Sequence, residues 1–158
     1  MADTIILPAE PCPDQEKLPS RGIKSSSNAT LQKSLRRISL HPTLTPYRRR
    51  VYRVLLSVPE GRWTTYSALA TYLNSSARAV GNAMRTNPFA PEVPCHRVLA
   101  ADRSLGGYKG EWKVSKHIAD GSFGDEKRTR LKQEGVVFDR EGKVGGVCFK
   151  EFKDLVAK

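Results

Sequence analysis

The chain has few cysteines and no long apolar run. Its three cysteines are odd in number and far apart in the 158 residues: Cys12, Cys95 and Cys148. This pattern gives no support for a disulfide framework, and we expect a reducing compartment. No apolar stretch approaches the roughly 20 residues of a membrane span, and the N-terminus lacks the apolar core of a signal peptide. We therefore expect a soluble intracellular protein without membrane contact.

The potential metal ligands also lack the spacing of known sites. His41, His96 and His117 form no H-x-x-x-H pair, and the cysteines form no C-x-x-C pair. A glycine-rich phosphate loop and a dinucleotide fingerprint are absent as well. We therefore expect neither a metal nor a cofactor.

Basic residues exceed acidic ones by 27 to 16, which gives a formal net charge of +11. Such an excess favours a polyanionic partner, with nucleic acid the leading candidate, although basic charge can also serve solubility alone. Residues 1–43 contain 6 basic and 4 acidic residues, so most of the excess belongs to the remainder. This distribution favours a basic binding surface on the folded part of the protein.

Two regions are predicted from composition. Residues 1–43 are rich in proline and serine and are predicted to be a disordered N-terminal tail, with at most a short helix near 30–38. Residues 44–158 are predicted to form one domain. That domain opens at Thr45-Pro46, a helix start whose core face repeats at helical spacing through Tyr47, Val51, Leu55 and Val58.

A helix-turn-helix is predicted next, with a first helix capped by Thr64 or Thr65 and a second helix over 77–85. The second helix contains Gly81, which costs about 1 kcal/mol relative to alanine inside a helix. A close backbone approach, to a packed partner or to nucleic acid, would compensate. Arg78 and Arg85 on the same slim helix favour DNA.

The remaining segments predict short elements. A proline-rich connection over 86–94 leads to a strand near 98–100 and a glycine loop over 102–108. A polar insertion over 111–126 precedes a helix near 126–133, and residues 136–149 resemble a hairpin. The predicted fold class is mainly α with short β elements.

Pro94-Cys95-His96-Arg97-Val98 is the segment most indicative of chemistry. A thiol is a weak nucleophile until its proton is removed, and the neighbouring imidazole can remove it directly or through water. A free cysteine is more often a core residue, but the rigid proline and adjacent His96 favour an activated one. The signatures of cysteine proteases are absent.

The ordered motifs resemble the O6-alkylguanine-DNA alkyltransferase family (methylated-DNA–protein-cysteine methyltransferases), over about residues 45–138. Five motifs occur in the family's order: Gly61…Thr65-Tyr66-Ser67-x-Leu69-Ala70, residues 77–88 (ARAVGNAMRTNP), Pro94-Cys95-His96-Arg97-Val98, Gly106-Gly107-Tyr108, and Leu131-x-x-Glu134-Gly135. The resemblance implies the family's C-terminal, winged-helix-like DNA-binding and active-site domain.

The resemblance also implies an activity. It is the irreversible, single-turnover transfer of an alkyl group, such as methyl, from O6-alkylguanine or O4-alkylthymine to Cys95. The base is flipped out of double-stranded DNA, and no cofactor or metal is needed. We expect a monomer that acts in the nucleus and is also present in the cytoplasm.

Residue roles follow from the matched motifs. Cys95 is the acceptor, His96 relays its proton through a water, and Glu134 orients the imidazole. Arg78 enters the base stack through the minor groove, and Tyr66 pushes on the target phosphate. Asn87 is a structural hinge, and Arg97 supports the active-site loop. The DNA-binding set is Tyr66, Ser67, Ala77, Arg78, Gly81 and Arg85, and the substrate-pocket set is Tyr66, Met84, Val98, Tyr108 and Lys109.

Departures from the family pattern leave alternatives open. The family's N-terminal domain has no counterpart in residues 1–43, so its zinc sites are not expected. The 111–126 insertion separates Tyr108 from Glu134, which makes Asp125, Glu126 and Glu111 alternatives to Glu134. A non-enzymatic alkyltransferase-like protein that recruits excision repair is the competing function, but such proteins lack the acceptor cysteine. A plain helix-turn-helix regulator would leave the Cys95 motif without a role.

Overall fold

The structure is a computed structural model that describes residues 25–106 and 123–158. Over these residues the fold is mainly α with short β elements, as predicted. The helices are α1 (Ser25–Leu40), α2 (Pro46–Leu55), α3 (Tyr66–Leu73), α4 (Ala77–Arg85) and α5 (Phe123–Gln133). The strands are β1 (Thr64–Thr65) and β2 (Val98–Leu99). None of the helices in this part of the chain is long and apolar enough to cross a membrane.

Side-chain caps fix the starts of the three central helices. The Thr45 hydroxyl accepts a hydrogen bond from the backbone of α2, and Pro46 occupies the first helical position. Thr65 caps α3 by accepting from Ala68 N, and Ser76 caps α4 by accepting from Ala79 N. These caps satisfy N–H groups that the first helical turn leaves unpaired. The predicted helix starts are thereby confirmed.

The helix-turn-helix consists of α3 and α4, joined at Asn74 in the left-handed conformation (φ 51°). Two hydroxyl contacts hold it on α2. The Tyr52 hydroxyl donates to Ala83 O on α4 at 2.8 Å, and the Tyr47 and Ser75 hydroxyl oxygens lie 2.8 Å apart. The exposed faces of α3 and α4 are therefore presented as one rigid surface.

The two short strands connect this surface to the cysteine motif. β1 pairs with β2 in parallel, with Thr64 opposite Val98 and Thr65 opposite Leu99. Because α3 begins directly after β1, the pairing places Tyr66 beside the chain that follows the Cys95 segment. Val98 packs into the larger buried cluster with α2, α3 and α4, whereas Leu99 packs into a smaller cluster with Leu131 of α5. The strand that follows the Cys95 segment thus lies between the larger and the smaller buried cluster.

Within the predicted tail over 1–43, residues 25–40 form helix α1, which is longer than the short helix predicted near 30–38. Leu35 and Ile38 of this helix are fully buried, and Ile38 belongs to the larger cluster. With Leu31 they repeat at helical spacing, a signal that the proline- and serine-rich composition of the whole stretch obscures. Residues 1–24 lie outside the described residues, so disorder there remains a prediction.

The predicted C-terminal hairpin is reduced to a single antiparallel bridge between Phe138 and Val144. Gly142 and Gly146 adopt positive φ angles of 76° and 85°, which interrupt extended pairing. The chain beyond them returns to the core instead. Phe149 N donates to Trp63 O at 2.8 Å, and Phe152 packs in the larger cluster.

The burial of α1 predicts a measurable contribution to stability. Truncating Ile38 to alanine should lower the free energy of unfolding by about 2–4 kcal/mol, because it leaves a cavity in a closed core. Leu40→Ala, on the same helix but 82% exposed, should change it by less than about 0.5 kcal/mol. Urea denaturation of both variants measures the difference. Equal, small effects would mean that α1 does not pack on the domain.

Candidate active site

A tight turn fixes the entry of the chain into Cys95. Pro94 has φ −79° and ψ 68°, and Cys95 N donates to Val93 O at 2.8 Å. These values are those of an inverse γ-turn, for which the proline ring already sets φ. A 3₁₀ turn over Cys95–Arg97 follows, closed by a bond from Arg97 N to Pro94 O. The Cys95 side chain is buried at the larger core.

Asn87 connects this turn to the helix-turn-helix. Its side-chain amide donates to Val93 O at 3.1 Å, and its side-chain oxygen accepts from Phe89 N at 2.9 Å. Val93 O therefore receives both the Asn87 amide and the N–H of Cys95. The end of α4 and the Cys95 turn are held by one shared carbonyl. This contact agrees with the predicted hinge position of Asn87.

His96 and Glu134 form the central contact of the site. His96 Nε2 lies 2.7 Å from Glu134 Oε1, and the two side chains are 4% and 10% exposed. The structure thus brings these two predicted site residues into contact, and their catalytic roles stay a prediction. His96 Nδ1 is buried and has no hydrogen-bond partner among the described residues. A carboxylate on one ring nitrogen fixes the imidazole orientation and leaves the other nitrogen for proton transfer.

Arg97 and Gly61 also bind the Glu134 carboxylate. Arg97 Nε and Nη2 donate to its two oxygens at 2.9 and 2.8 Å, while Arg97 Nη1 donates to Val58 O. Gly61 N donates to Oε2 at 3.4 Å. Burial alone would raise the pKa of Glu134, but the hydrogen bonds of His96 and Arg97 outweigh it and lower that pKa from 4.5 to about 2. Glu134 is therefore a carboxylate at neutral pH.

Gly61 could not be another residue without disturbing this contact. Its φ is +79°, and a Cβ built on it would lie 3.0 Å from the backbone oxygen of Glu134. That distance is shorter than most real Cβ contacts, and the backbone oxygen would have to shift by a few tenths of an ångström to accommodate a side chain. The close approach explains why the family-like motif begins with a glycine at this position.

The alternative carboxylates do not replace Glu134. Glu126 pairs with Arg130 one helical turn away on α5, at 2.9 Å. Asp125 is exposed, and Glu111 lies outside the described residues. The 111–126 insertion, which departs from the family pattern, therefore does not prevent the contact between His96 and Glu134.

Several predicted DNA-binding residues line one groove of about 540 Å³ at the start of α3 and α4. Tyr66 forms the buried side of this groove, and Arg78 is exposed at its rim. Burial raises the pKa of the Tyr66 phenol, and the nearby Cys95 charge raises it further. The phenol therefore stays protonated at neutral pH. The groove is lined by Tyr66, Ser67, Ala77, Arg78, Asn82, Ala100 and Ala101.

Other predicted site residues lie around this groove. Gly81 is half-buried in the middle of α4, and Arg85 is exposed in its last turn. Met84 and Val98 are buried in the same cluster as Cys95 and Tyr66 and do not line the groove. Tyr108 and Lys109 lie outside the described residues.

Lys127 was missed by the sequence reasoning. It is fully buried, and its Nζ donates to the backbone oxygens of Val98 (2.6 Å) and Leu105. Nζ also lies 5.8 Å from the centre of the Tyr66 ring. Burial lowers the pKa of Lys127 to about 7, and the nearby Cys95 charge acts in the opposite direction. The spacing of Lys127, Leu131 and Glu134 on one helical face could have revealed an inward-facing lysine.

No group of three side chains suited to bind a metal ion occurs within residues 25–106 and 123–158. The side chains brought together around Cys95 are suited to nucleophilic chemistry. A buried thiol, an oriented imidazole, a protonated phenol and a lysine amine lie beside a groove bordered by an exposed arginine.

Comparisons with known proteins agree with this arrangement. Residues 46–136 match the family model described as "6-O-methylguanine DNA methyltransferase, DNA binding domain". A methylated-DNA–protein-cysteine methyltransferase of Methanothermobacter thermautotrophicus is 41% identical over 76 residues, which are 48% of this chain and 43% of that protein. A DNA base-flipping protein of Thermus thermophilus is 48% identical over 68 residues, which are 43% of this chain and 46% of that protein. The matched region thus spans less than half the length of each of these relatives.

A solved structure is similar over the same region. The crystal structure of Mycobacterium tuberculosis OGT in complex with DNA has 35% sequence identity and a TM-score of 0.48. The alignment covers 58% of this chain and 50% of that chain.

The pKa of Glu134 predicts a stability effect that depends on pH. The lowered pKa contributes about 3 kcal/mol above pH 4.5, and this contribution should be lost as the pH falls from 4.5 through about 2. Glu134→Gln should therefore lower the free energy of unfolding at pH 7 and flatten its acid dependence. Urea denaturation across pH 2–7 tests this. Glu126→Gln, which breaks a half-exposed pair, should cost only about 0.5 kcal/mol; an equal cost for both variants would contradict the assignment.

Proposed function

The chain belongs to the 6-O-methylguanine DNA methyltransferase family, and on this basis we propose that it repairs alkylated DNA by direct transfer. The substrate is an O6-alkylguanine, or an O4-alkylthymine, in double-stranded DNA, and the acceptor is Cys95. One observation carries the proposal. The buried thiol adjoins an imidazole whose far nitrogen lies 2.7 Å from a carboxylate.

The proton of Cys95 is the first to move. His96 takes it at Nδ1, through a bound water, while Glu134 holds Nε2 and stabilises the imidazolium that forms. The thiolate is the nucleophile that the reaction requires. Arg97 binds the same carboxylate and keeps it in place.

Transfer then exchanges one bond for another. The sulfur attacks the alkyl carbon, an S–C bond forms, and the C–O6 bond breaks with its electron pair going to the base. The base needs a proton to leave as neutral guanine, and the phenol of Tyr66 beside the groove can pass one on. The proton that His96 took from Cys95 then restores the phenol, so that in total one proton moves from the thiol to the base. The thioether that remains on Cys95 is inert to displacement. Each protein molecule therefore reacts once, without a cofactor.

When its amine is protonated, Lys127 supplies positive charge near the Cys95 thiolate. Its amine is held by two backbone carbonyls near Tyr66, and the thiolate charge favours its protonated form. A cation near the sulfur stabilises the thiolate in a site that excludes water. We include Lys127 as a positioning residue that acts through the charge on Cys95.

The DNA side of the proposal rests on the groove and on Arg78. An O6-alkylguanine inside a duplex is out of reach until its nucleotide leaves the stack. The exposed Arg78 at the start of α4 is suited to fill the space that the base leaves, because its planar, permanently charged head can stack between bases. Ala77 leaves room for the DNA backbone. Action on nuclear DNA, as a monomer, is part of this proposal.

A second candidate is damage recognition without transfer. The Thermus thermophilus relative, 48% identical over its matched region, is named a DNA base-flipping protein rather than a methyltransferase. Such a protein would bind and flip the alkylated base and recruit excision repair. The presence of Cys95 beside an oriented His96 favours the transferase.

Mass spectrometry of the intact protein tests the proposal. After mixing with a duplex that contains O6-methylguanine, the protein should gain the mass of one methyl group, mapped by peptide analysis to Cys95. Cys95→Ala should gain nothing and should still bind the duplex, because only the thiol is removed. Tight binding by the unchanged protein with no mass gain would favour damage recognition over transfer.

Arg78→Ala should separate base flipping from chemistry. Transfer from duplex DNA should fall by about 100-fold, since flipping costs a few kcal/mol that the arginine offsets. Transfer from free O6-benzylguanine should change by less than about twofold, because no base must leave a stack. Single-turnover rates on both substrates measure this. Arg140→Ala, an exposed arginine near α5, is the matched control, and equal losses on both substrates would contradict the role of Arg78.

A further inference from the structure

Charge is distributed unevenly along the chain. Residues 17–91 contain 13 lysines and arginines and a single acidic residue, Glu60. Residues 92–158 contain 14 basic and 11 acidic residues. The helices α1 to α4 carry no acidic residue, so every charge that these helices themselves contribute is positive. Charge of one sign on adjoining helices is typical of a surface that binds a polyanion.

Helix α1 presents cations that have no acidic partner. Lys33 and Arg36 are exposed, and none of the carboxylates in the described part of the chain pairs with them. Many other cations of the domain are paired. Arg53 binds Asp154 through two hydrogen bonds, and Arg130 binds Glu126. The charge of Lys33 and Arg36 is therefore available to a partner.

The basic face of α1 joins the helix-turn-helix at Phe89. This residue follows Arg85, the last residue of α4, by four positions. The ring of His41, next to the end of α1, packs edge-on against Phe89 with a centroid distance of 5.4 Å. The Arg37 guanidinium lies 5.4 Å above the same ring and pairs with Glu92. A groove on α1 continues from Phe89 past Leu40 to Arg36 and Lys33.

We propose that α1 is a second DNA-binding element, which contacts backbone phosphates beside the nucleotide held by the helix-turn-helix. This inference rests on the proposed function for its ligand but concerns a helix outside the family match, which begins at residue 46. Lys33 and Arg36 are about 5 Å apart along the helix axis, whereas each DNA strand carries a phosphate every 3.4 Å or so. Together they can neutralise up to two phosphates.

DNA fits this surface better than an acidic protein segment does. The face adjoins Phe89, which follows the end of α4 by four residues, so it lies near the C-terminal end of the helix-turn-helix. Lysine and arginine contacts to phosphates add affinity without sequence preference, which suits a protein that must find damage in any sequence. The exposed Leu40 in the same groove can contact the apolar sides of the sugars.

The salt dependence of DNA binding tests the proposal. The double variant Lys33→Gln, Arg36→Gln keeps good helix formers at two exposed sites, so its fold should persist. Anisotropy titrations with a labelled 20-base-pair duplex at several salt concentrations give the slope of log affinity against log salt. This slope should become less steep by about 2, and low-salt affinity should fall by roughly tenfold for each lost contact. Charge reversal with Lys33→Glu, Arg36→Glu should weaken binding further.

A matched control is Lys132→Gln, Arg140→Gln, which removes two exposed cations near α5, away from α1. Its slope should remain close to that of the unchanged protein. An unchanged slope for the α1 variant, or an equal change in the control, would overturn the proposal and leave the α1 face to a protein partner. Alkyl transfer from free O6-benzylguanine to the protein is measured in parallel. If the unchanged protein fails to transfer but the α1 slope still changes, the proposed function fails and this inference stands.

Discussion

The carboxylate of Glu134 is the contact on which the site depends. It accepts hydrogen bonds from His96, from two nitrogens of Arg97 and from the backbone of Gly61. These donors come from two separate segments of the chain, and without the charge of Glu134 the buried His96 and Arg97 side chains would lose a hydrogen-bond acceptor. The same carboxylate therefore holds the Cys95–Arg97 turn and Gly61 to the end of α5. It also orients the imidazole beside Cys95. Stability and chemistry are linked through one side chain.

The position of Cys95 has a different origin, in backbone geometry. Pro94 sets an inverse γ-turn, and Asn87 binds the carbonyl that closes it, so the end of the helix-turn-helix and the thiol move as one unit. The parallel pairing of β1 with β2 then places Tyr66 beside the chain that follows the Cys95 segment. The proposed function, in which a duplex is bound and a nucleophile is presented to one extruded base, would use this rigid connection between the two surfaces.

The sequence predicted the local features and missed those that depend on tertiary packing. The caps of α2, α3 and α4 and the Glu134 motif have short-range signals, so their positions could be predicted. The full length and burial of α1 were missed because Leu35 and Ile38 lie in a proline- and serine-rich stretch and become core residues only when the helix packs on the domain. Lys127 was missed because a lysine in a polar helix is normally exposed. In the structure the carbonyls of Val98 and Leu105 converge on its amine and make the burial possible.

The central claim is that Glu134, acting through His96, activates the Cys95 thiol. Its most direct test is the pH dependence of the rate at which Cys95 reacts with a small alkylating agent, such as iodoacetamide, in the unchanged protein and in Glu134→Gln. The account predicts that the unchanged protein reaches its full rate at a lower pH, because the imidazolium held by the carboxylate stabilises the thiolate. The variant should need a higher pH for the same rate. Superimposable profiles, with both proteins folded, would contradict the claim.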